Sequence, residues 1–354
     1  MMRDWKQSVG RIRQVRVLAW VLLLLTAVPG CEDPEREARL RWREEEVNAK
    51  ETGLVRKERE MLREREEISA QRLTMVAREA ELTKLKAEME SEVKKMAAAR
   101  RAFEIKNLRG QPPRITSERV IVIDPTSGEV LYEKNADQRG AIASTQKLLT
   151  AILVAEKGNL DGMVTVTKSD SDCAPVRLGI KEGEQYSRRQ LLTALMVKSS
   201  NDIAQALARD HSGSVEAFVV SMNAKAKELG LADSEFRNPH GLPSEPEQFS
   251  TARNLSKIAA VADLHPDIRA MIKTKRFVFE RAGQSSLTLE NTNRVLHNYS
   301  ICDGMKTGFT NAAGYCLVAS GEKNGKRRIV VVLNGGKSGV WADAQALLEW
   351  AVRA

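Results

Sequence analysis

Residues 119–153 read RVIVIDPTSGEVLYEKNADQRGAIASTQKLLTAIL, and the architecture of everything downstream turns on how they are parsed. Val120-Ile121-Val122-Ile123 is a short β-branched run, the pattern of a strand. Asp124-Pro125-Thr126-Ser127-Gly128 is dense in turn formers and returns the chain into Val130-Leu131-Tyr132, a second strand. After Ser144 the apolar residues fall at Leu148, Leu149, Ile152 and Leu153, which is helical spacing. A strand pair therefore feeds a helix whose first turn carries Ser144 and Lys147. Further helical stretches run from Gln190 toward Lys198 and from Asp202 to Arg209. Tyr315–Ala319 and Arg328–Leu333 read as strands joined by Asn324-Gly325, and Trp341–Arg353 reads as a closing helix. Strands at both ends with helices between predict an α/β domain whose single sheet is completed by both of its termini.

Upstream, Gly110-Gln111-Pro112-Pro113 breaks the chain into a linker, and the texture before it is different. From Pro34 to Leu108 there is one glycine, Gly53, and no further proline, in a dense mixture of Glu, Arg and Lys that favours helix. One apolar column repeats every seven residues: Leu40, Val47, Leu54, Met61, Ile68, Met75, Leu82, Met89, Met96 and Phe103. Held this long, the period is a coiled-coil signal with the column as a positions. The d positions are mostly charged, with Arg43, Lys50, Lys57 and Glu64 among them, and only Leu85 and Ala99 apolar. A lone helix stiffened by i,i+4 ion pairs is the alternative. Either form is a rod of roughly 110 Å at about 1.5 Å per residue.

The first sixteen residues are polar and basic, and an apolar run from Val17 to Val28 leads into Pro29, Gly30 and Cys31. That is the layout of a secretory signal, and the run is too short for the roughly 20 residues of a membrane span. Val28-Pro29-Gly30-Cys31 resembles a bacterial lipobox, which implies that Cys31 is acylated and becomes the N-terminus of a membrane-anchored lipoprotein. The chain of 354 residues carries a net charge of +9, but several of its basic residues lie in this leader, so nucleic acid is not the expected partner. Cys173, Cys302 and Cys316 are an odd set, so at most one pair can form among them, and buried free thiols are the expectation.

Three constellations carry chemistry. Ser144-Thr145-Gln146-Lys147 places a hydroxyl and an amine three residues apart on one face of a helix start. The lysine serves as a base only when neutral, which burial and a neighbouring cation such as Lys306 promote. Ser199-Ser200-Asn201 falls between two helical runs and offers a hydroxyl and an amide. Lys306-Thr307-Gly308 sits at the start of a probable strand, where glycine admits a substrate backbone and the cation attracts a carboxylate. Each motif alone is weak, since Ser320/Lys323, Ser221/Asn223 and Lys337-Ser338-Gly339 repeat the same spacings. Order and setting favour the first three.

With these residues, the chain from Arg119 to Arg353 resembles the serine D-alanyl-D-alanine carboxypeptidases, the low-molecular-mass penicillin-binding proteins. The resemblance extends through Ile123-Asp124, Ser127-Gly128, Asn135-Ala136-Asp137, Ala143 to Lys147, Ser199 to Asp202, Asn238-Pro239-His240-Gly241-Leu242, and Asp303 to Thr310 with Ala313-Gly314-Tyr315. It implies a β-lactamase/transpeptidase-like α/β (α+β) domain over residues 111–354; the leader and the charged segment before it are read separately as a signal peptide at 1–30 and a lipid-anchored helical stalk at 31–110. It further implies that Ser144 is the nucleophile, Lys147 its base and Ser199 a proton relay. Asn201 would hold the peptide, Lys306 and Thr307 the terminal carboxylate, with Gly308 lining that strand. The backbone N–H groups of Ser144 and Phe309 would form the oxyanion hole. The family commonly has histidine where this chain has Phe309.

The implied reaction removes the terminal D-alanine from peptidoglycan stem peptides, with β-lactams as covalent inhibitors and no cofactor or metal, on the extracytoplasmic side of a bacterial envelope. Three rivals accompany it: a D,D-endopeptidase cutting cross-links, a β-lactamase, and a non-catalytic wall tether. The β-lactamase reading is disfavoured because no Glu-x-x-Leu-Asn segment lies between Asn201 and Lys306. His211, His265 and His297 lack metal-ligand spacing, and His240 reads as part of a turn near the site. The stalk, if a coiled coil, implies a homo-oligomer.

Overall fold

The structure, a computed structural model, describes residues 34–353 apart from 174 and 282; the leader and Cys31 lie outside the described residues. The chain divides into two units, the first ending at Met96 and the second beginning at Ala97. In chain order the helices are α1 (Pro34–Arg109), α2 (Lys147–Glu156), α3 (Lys168–Ser171), α4 (Arg188–Lys198), α5 (Asn201–Ser212), α6 (Val215–Glu228), α7 (Ala252–Leu264), α8 (Pro266–Ile272), α9 (Arg294–Asn298) and α10 (Gly339–Ala351). The strands are β1 (Arg119–Ile123), β2 (Val130–Lys134), β3 (Met163–Thr165), β4 (Gln185–Ser187), β5 (Arg276–Arg281), β6 (Gln284–Glu290), β7 (Cys302–Thr310), β8 (Gly314–Lys323) and β9 (Lys326–Gly335).

α1 is one continuous helix of 76 residues. Its surface is charged and its apolar column stands in solvent, with Leu54, Met61 and Met75 each more than half exposed. Ion pairs one turn apart run along it, including Glu35–Arg39, Glu46–Lys50 and Arg56–Glu60. Among the described residues, no helix is long and apolar enough to cross a membrane. α1 ends at Arg109, and Gly110, at a φ of +69°, turns the backbone out of helical geometry.

The second unit is organised by β1, whose residues are all buried because alternate side chains leave opposite faces of the sheet. Val120 and Val122 join a cluster with Val330, Val332, Leu347 and Leu348, so one face packs against α10. Ile121 and Ile123 join the larger cluster with Val331, Leu148, Ile152 and Ile258, so the other face packs against the helical region. The sheet is antiparallel in the order β2-β1-β9-β8-β7, and the β1–β9 pairing seals the two ends of the domain together. β8 and β9 turn at Asn324 and Gly325, both at positive φ (54° and 72°), which is the two-residue hairpin the Asn-Gly pair predicts. The Asp124 carboxylate accepts the N–H groups of Thr126 and Ser127, closing the β1–β2 turn. One expectation shifts: Lys306 lies in the middle of β7 rather than at a strand start.

Candidate active site

Ser144 sits in a 3₁₀ turn, Ala143–Gln146, that runs directly into α2 at Lys147. Two glycines allow this turn to form where it does. Gly308 of β7 faces it so closely that a Cβ there would lie 2.8 Å from Ser144 N and 3.1 Å from Thr145 N. Gly241, at a φ of +89°, packs beneath it, and a Cβ there would overlap the Ala143 carbonyl. The sequence assigned the space at Gly308 to a substrate backbone; in the structure it is the turn carrying Ser144 that comes close.

The Lys147 side chain is fully buried, and its Nζ lies 2.7 Å from Ser144 Oγ. It also donates to Asn201 Oδ1 at 2.8 Å and to the His240 carbonyl at 2.6 Å. Those two partners only accept, so they take both protons of a neutral amine and leave its lone pair for the serine hydroxyl. Burial holds Lys147 well below the usual lysine range, and the nearby Lys306 pushes in the same direction. The His240 carbonyl also lies 3.2 Å from Ser144 Oγ, a longer alternative acceptor for the one serine proton.

Across from this pair, Lys306 is 1% exposed and donates to Ser199 Oγ at 2.7 Å and to the Thr307 carbonyl at 3.0 Å. Burial pushes its pKa down to about 7. Ser199 terminates α4 at a φ of +67°, a left-handed position that aims its hydroxyl away from the helix. Asn201 opens α5; its Nδ2 donates to the Pro175 carbonyl at 2.6 Å. Thr307 shares a 2.6 Å hydrogen bond with Thr292. The structure thus bonds Ser144 and Asn201 to Lys147 and bonds Ser199 to Lys306, with the two lysines close enough for Lys306 to act on Lys147 electrostatically. Gly308 abuts the turn carrying Ser144, and the Phe309 ring is exposed and lies 4.5 Å from Tyr315, centroid to centroid.

The competing motifs are elsewhere. Ser320 is buried in β8 and donates to Asp303; Ser221 bonds its own helix at Ala217; Lys337 is exposed beyond β9. His240 contributes its carbonyl, while its ring is held down to about pKa 3 by burial and by Lys147, so it stays neutral. Cys173, Cys302 and Cys316 are all free, and burial raises the latter two to about 11. Among the described residues, no cluster of His, Cys, Asp and Glu is placed to hold a metal ion.

Two supports are not legible as such in the sequence, although His240 reads there as part of a turn near the site. Residues 238–242 form a buttress in which Asn238 Oδ1 accepts the Gly241 N–H at 2.7 Å and the Pro239 carbonyl accepts Thr150 Oγ1 at 2.7 Å. Asn-Pro followed by His-Gly is a turn signal that carries no hint of a carbonyl aimed at a lysine. The second is the segment Pro175–Gly179, bonded to the start of α5, which has no periodicity to betray it.

Residues 105–337 match the family model described as D-alanyl-D-alanine carboxypeptidase. The D-alanyl-D-alanine carboxypeptidase DacF of Bacillus subtilis is 34% identical over 217 residues, covering 60% of this chain and 56% of that protein. A D-alanyl-D-alanine endopeptidase of Pseudomonas aeruginosa is 35% identical over 241 residues, covering 67% of this chain and 77% of that protein. The crystal structure of the Streptomyces K15 DD-transpeptidase superimposes with a TM-score of 0.65 at 32% identity, covering 68% of this chain and 98% of that one. The chain therefore has the transpeptidase-type fold, preceded by a long helix, and spans little more than half the length of the Bacillus relative.

Proposed function

Because the chain belongs to the D-alanyl-D-alanine carboxypeptidase family, we propose that it removes the terminal D-alanine from peptidoglycan stem peptides through an acyl-enzyme on Ser144. The observation that carries this reading is the buried amine of Lys147 at 2.7 Å from Ser144 Oγ, held below its normal basicity. Ser144 Oγ attacks the carbonyl between the two D-alanines while its proton passes to Lys147. The oxyanion is received by the backbone N–H groups of Ser144 and Phe309; each donor of this kind is worth about 3–4 kcal/mol. Ser199, bonded to Lys306, relays the proton taken by Lys147 to the departing amine, and Lys306 with Thr307 holds the terminal carboxylate. The second proton on Asn201 Nδ2 is left for the substrate peptide. Water then attacks the ester and frees Ser144.

A second reading, cleavage of D,D cross-links, is favoured by one observation: the chain spans 77% of the Pseudomonas endopeptidase but 56% of the Bacillus carboxypeptidase. Fluorescent penicillin should label the native protein and not Ser144→Ala, and a label retained by that variant refutes the assignment. Mass spectrometry of muropeptides separates the two reactions by whether D-alanine or a monomer pair is released.

The same proposal places the protein at the outer side of a bacterial membrane, tethered through acylated Cys31, with α1 as a self-associating stalk. The leader pattern and the exposed heptad column support these two assignments.

A further inference from the structure

Segment Pro175–Gly179 is stitched to the first turn of α5 by bonds that converge on two adjacent residues. Asp202 is completely buried. Its Oδ1 accepts the N–H of Leu178 at 3.1 Å and its Oδ2 that of Gly179 at 2.8 Å. Asn201 N donates to the Val176 carbonyl at 2.8 Å, and Asn201 Nδ2 to the Pro175 carbonyl at 2.6 Å. Among the described residues, no lysine or arginine forms an ion pair with Asp202, so its charge is borne by backbone N–H groups, including that of Ile203 at 2.9 Å.

The stitched segment is under strain. Val176 has a φ of +58°, a region that β-branched residues avoid, and its side chain is exposed, so no packing of its own explains that conformation. Gly179, at +85°, is the other left-handed residue of the segment. The bonds to Asn201 and Asp202 are what hold it in this shape. The segment in turn fixes the Asn201 amide: with Nδ2 committed to Pro175, only Oδ1 faces Lys147.

We propose that Asp202 is a positioning residue for the acylation step: by clamping Pro175–Gly179 it sets the orientation of the Asn201 amide, and with it the direction of the Lys147 lone pair toward Ser144. Asp202 does not touch the substrate. It acts through the segment and through its buried negative charge, which opposes the depression of the Lys147 pKa. This inference rests on Lys147 being the base, as proposed above.

In Asp202→Asn the charge is lost and the single acceptor oxygen of the amide must serve three backbone donors, Leu178, Gly179 and Ile203. The experiment measures the rate constant of Ser144 acylation by a fluorescent penicillin against pH, for the native chain and for variants. The plateau of Asp202→Asn should fall by at least about tenfold, the loss expected when a reacting pair is misplaced by a fraction of an ångström. The midpoint of its acid limb should move to lower pH, because both the lost charge and the lost orientation of Oδ1 disfavour the lysine cation. Asp202→Glu, which keeps the charge, should return the midpoint toward the native value. Gly179→Val, which breaks the clamp from the exposed loop side by forcing a β-branched residue to +85°, should lower the plateau and guards against a misfolded Asp202 variant. An unchanged plateau and midpoint in Asp202→Asn overturns the proposal, as does a uniform loss at every pH that tracks a fall in melting temperature. A native chain that is not acylated at Ser144 overturns the catalytic reading instead, which keeps the two failures apart.

Discussion

On the proposed mechanism, two buried lysines, one bonded to Ser144 and the other to Ser199, give the site a pH profile whose limbs have opposite signs. Lys147 must be neutral to accept a proton, so activity rises as pH climbs through its depressed pKa. Lys306 must be charged to hold a carboxylate, so kcat/KM falls as pH climbs past about 7, its value in the free protein. A bound carboxylate beside Lys306 favours its cation, so the descending limb of kcat lies at higher pH than that of kcat/KM. Steady-state D-alanine release from a diacylated tripeptide, measured from pH 5 to pH 10 in overlapping buffers, checks both limbs. Coincident limbs for kcat and kcat/KM would remove Lys306 from carboxylate binding. The residue types at 144, 147, 199, 201 and 306 were readable from spacing and order alone. The His240 carbonyl was not, because a backbone group has no sequence signature and only the path of the chain aims it.

At the level of elements, the site is a junction between strand β7 and the turn entering α2, and the width of that junction is set by an absent side chain. Gly308→Ala puts a methyl group against the backbone of Ser144 and Thr145, atoms that cannot rotate away. The strand and turn must part, at a cost of about 1–3 kcal/mol, and acylation by penicillin should slow by about a hundredfold. Stopped-flow acylation together with thermal melting separates the two effects; native rates in this variant would show that the close approach is dispensable. The same strand shows why parts of the fold were illegible. β7 reads Cys-Asp-Gly-Met-Lys-Thr-Gly-Phe-Thr, with charges and glycines where a half-buried strand alternates, because its pattern serves the site rather than the core. The β5–β6 hairpin was missed for a different reason. Phe277-Val278-Phe279 is an apolar run of only three residues, without the alternation of a half-buried strand, and its partner opens with the polar Gln284-Ser285-Ser286. By contrast β1 and β9 are β-branched runs, and an Asn-Gly turn joins β9 to the apolar run of β8; these local signals agree with the final sheet.

For the molecule as a whole, magnitudes choose between the two readings of α1. An exposed i,i+4 ion pair contributes about 0.3–0.5 kcal/mol, whereas fully burying one large apolar side chain is worth about 1.5–3 kcal/mol. The column from Leu40 to Met96 therefore outweighs the ion pairs once a second helix covers it. Sedimentation of the chain from residue 31 onward should give a mass above that of the monomer. Met61→Glu with Ile68→Glu should return it to monomer without changing penicillin acylation. A native chain that sediments as monomer at tens of micromolar would leave α1 a solitary helix. In the second unit, the pairing of β1 with β9 means that the strand opening the domain has no central neighbour until residues 326–335 have been made. Ser144 is thus synthesised nearly two hundred residues before the framework around it can close, and a chain emerging from a ribosome holds Ser144 and Lys147 outside their folded setting for most of its passage. Premature stop codons anywhere upstream of β9 should accordingly behave as null alleles, however late they fall.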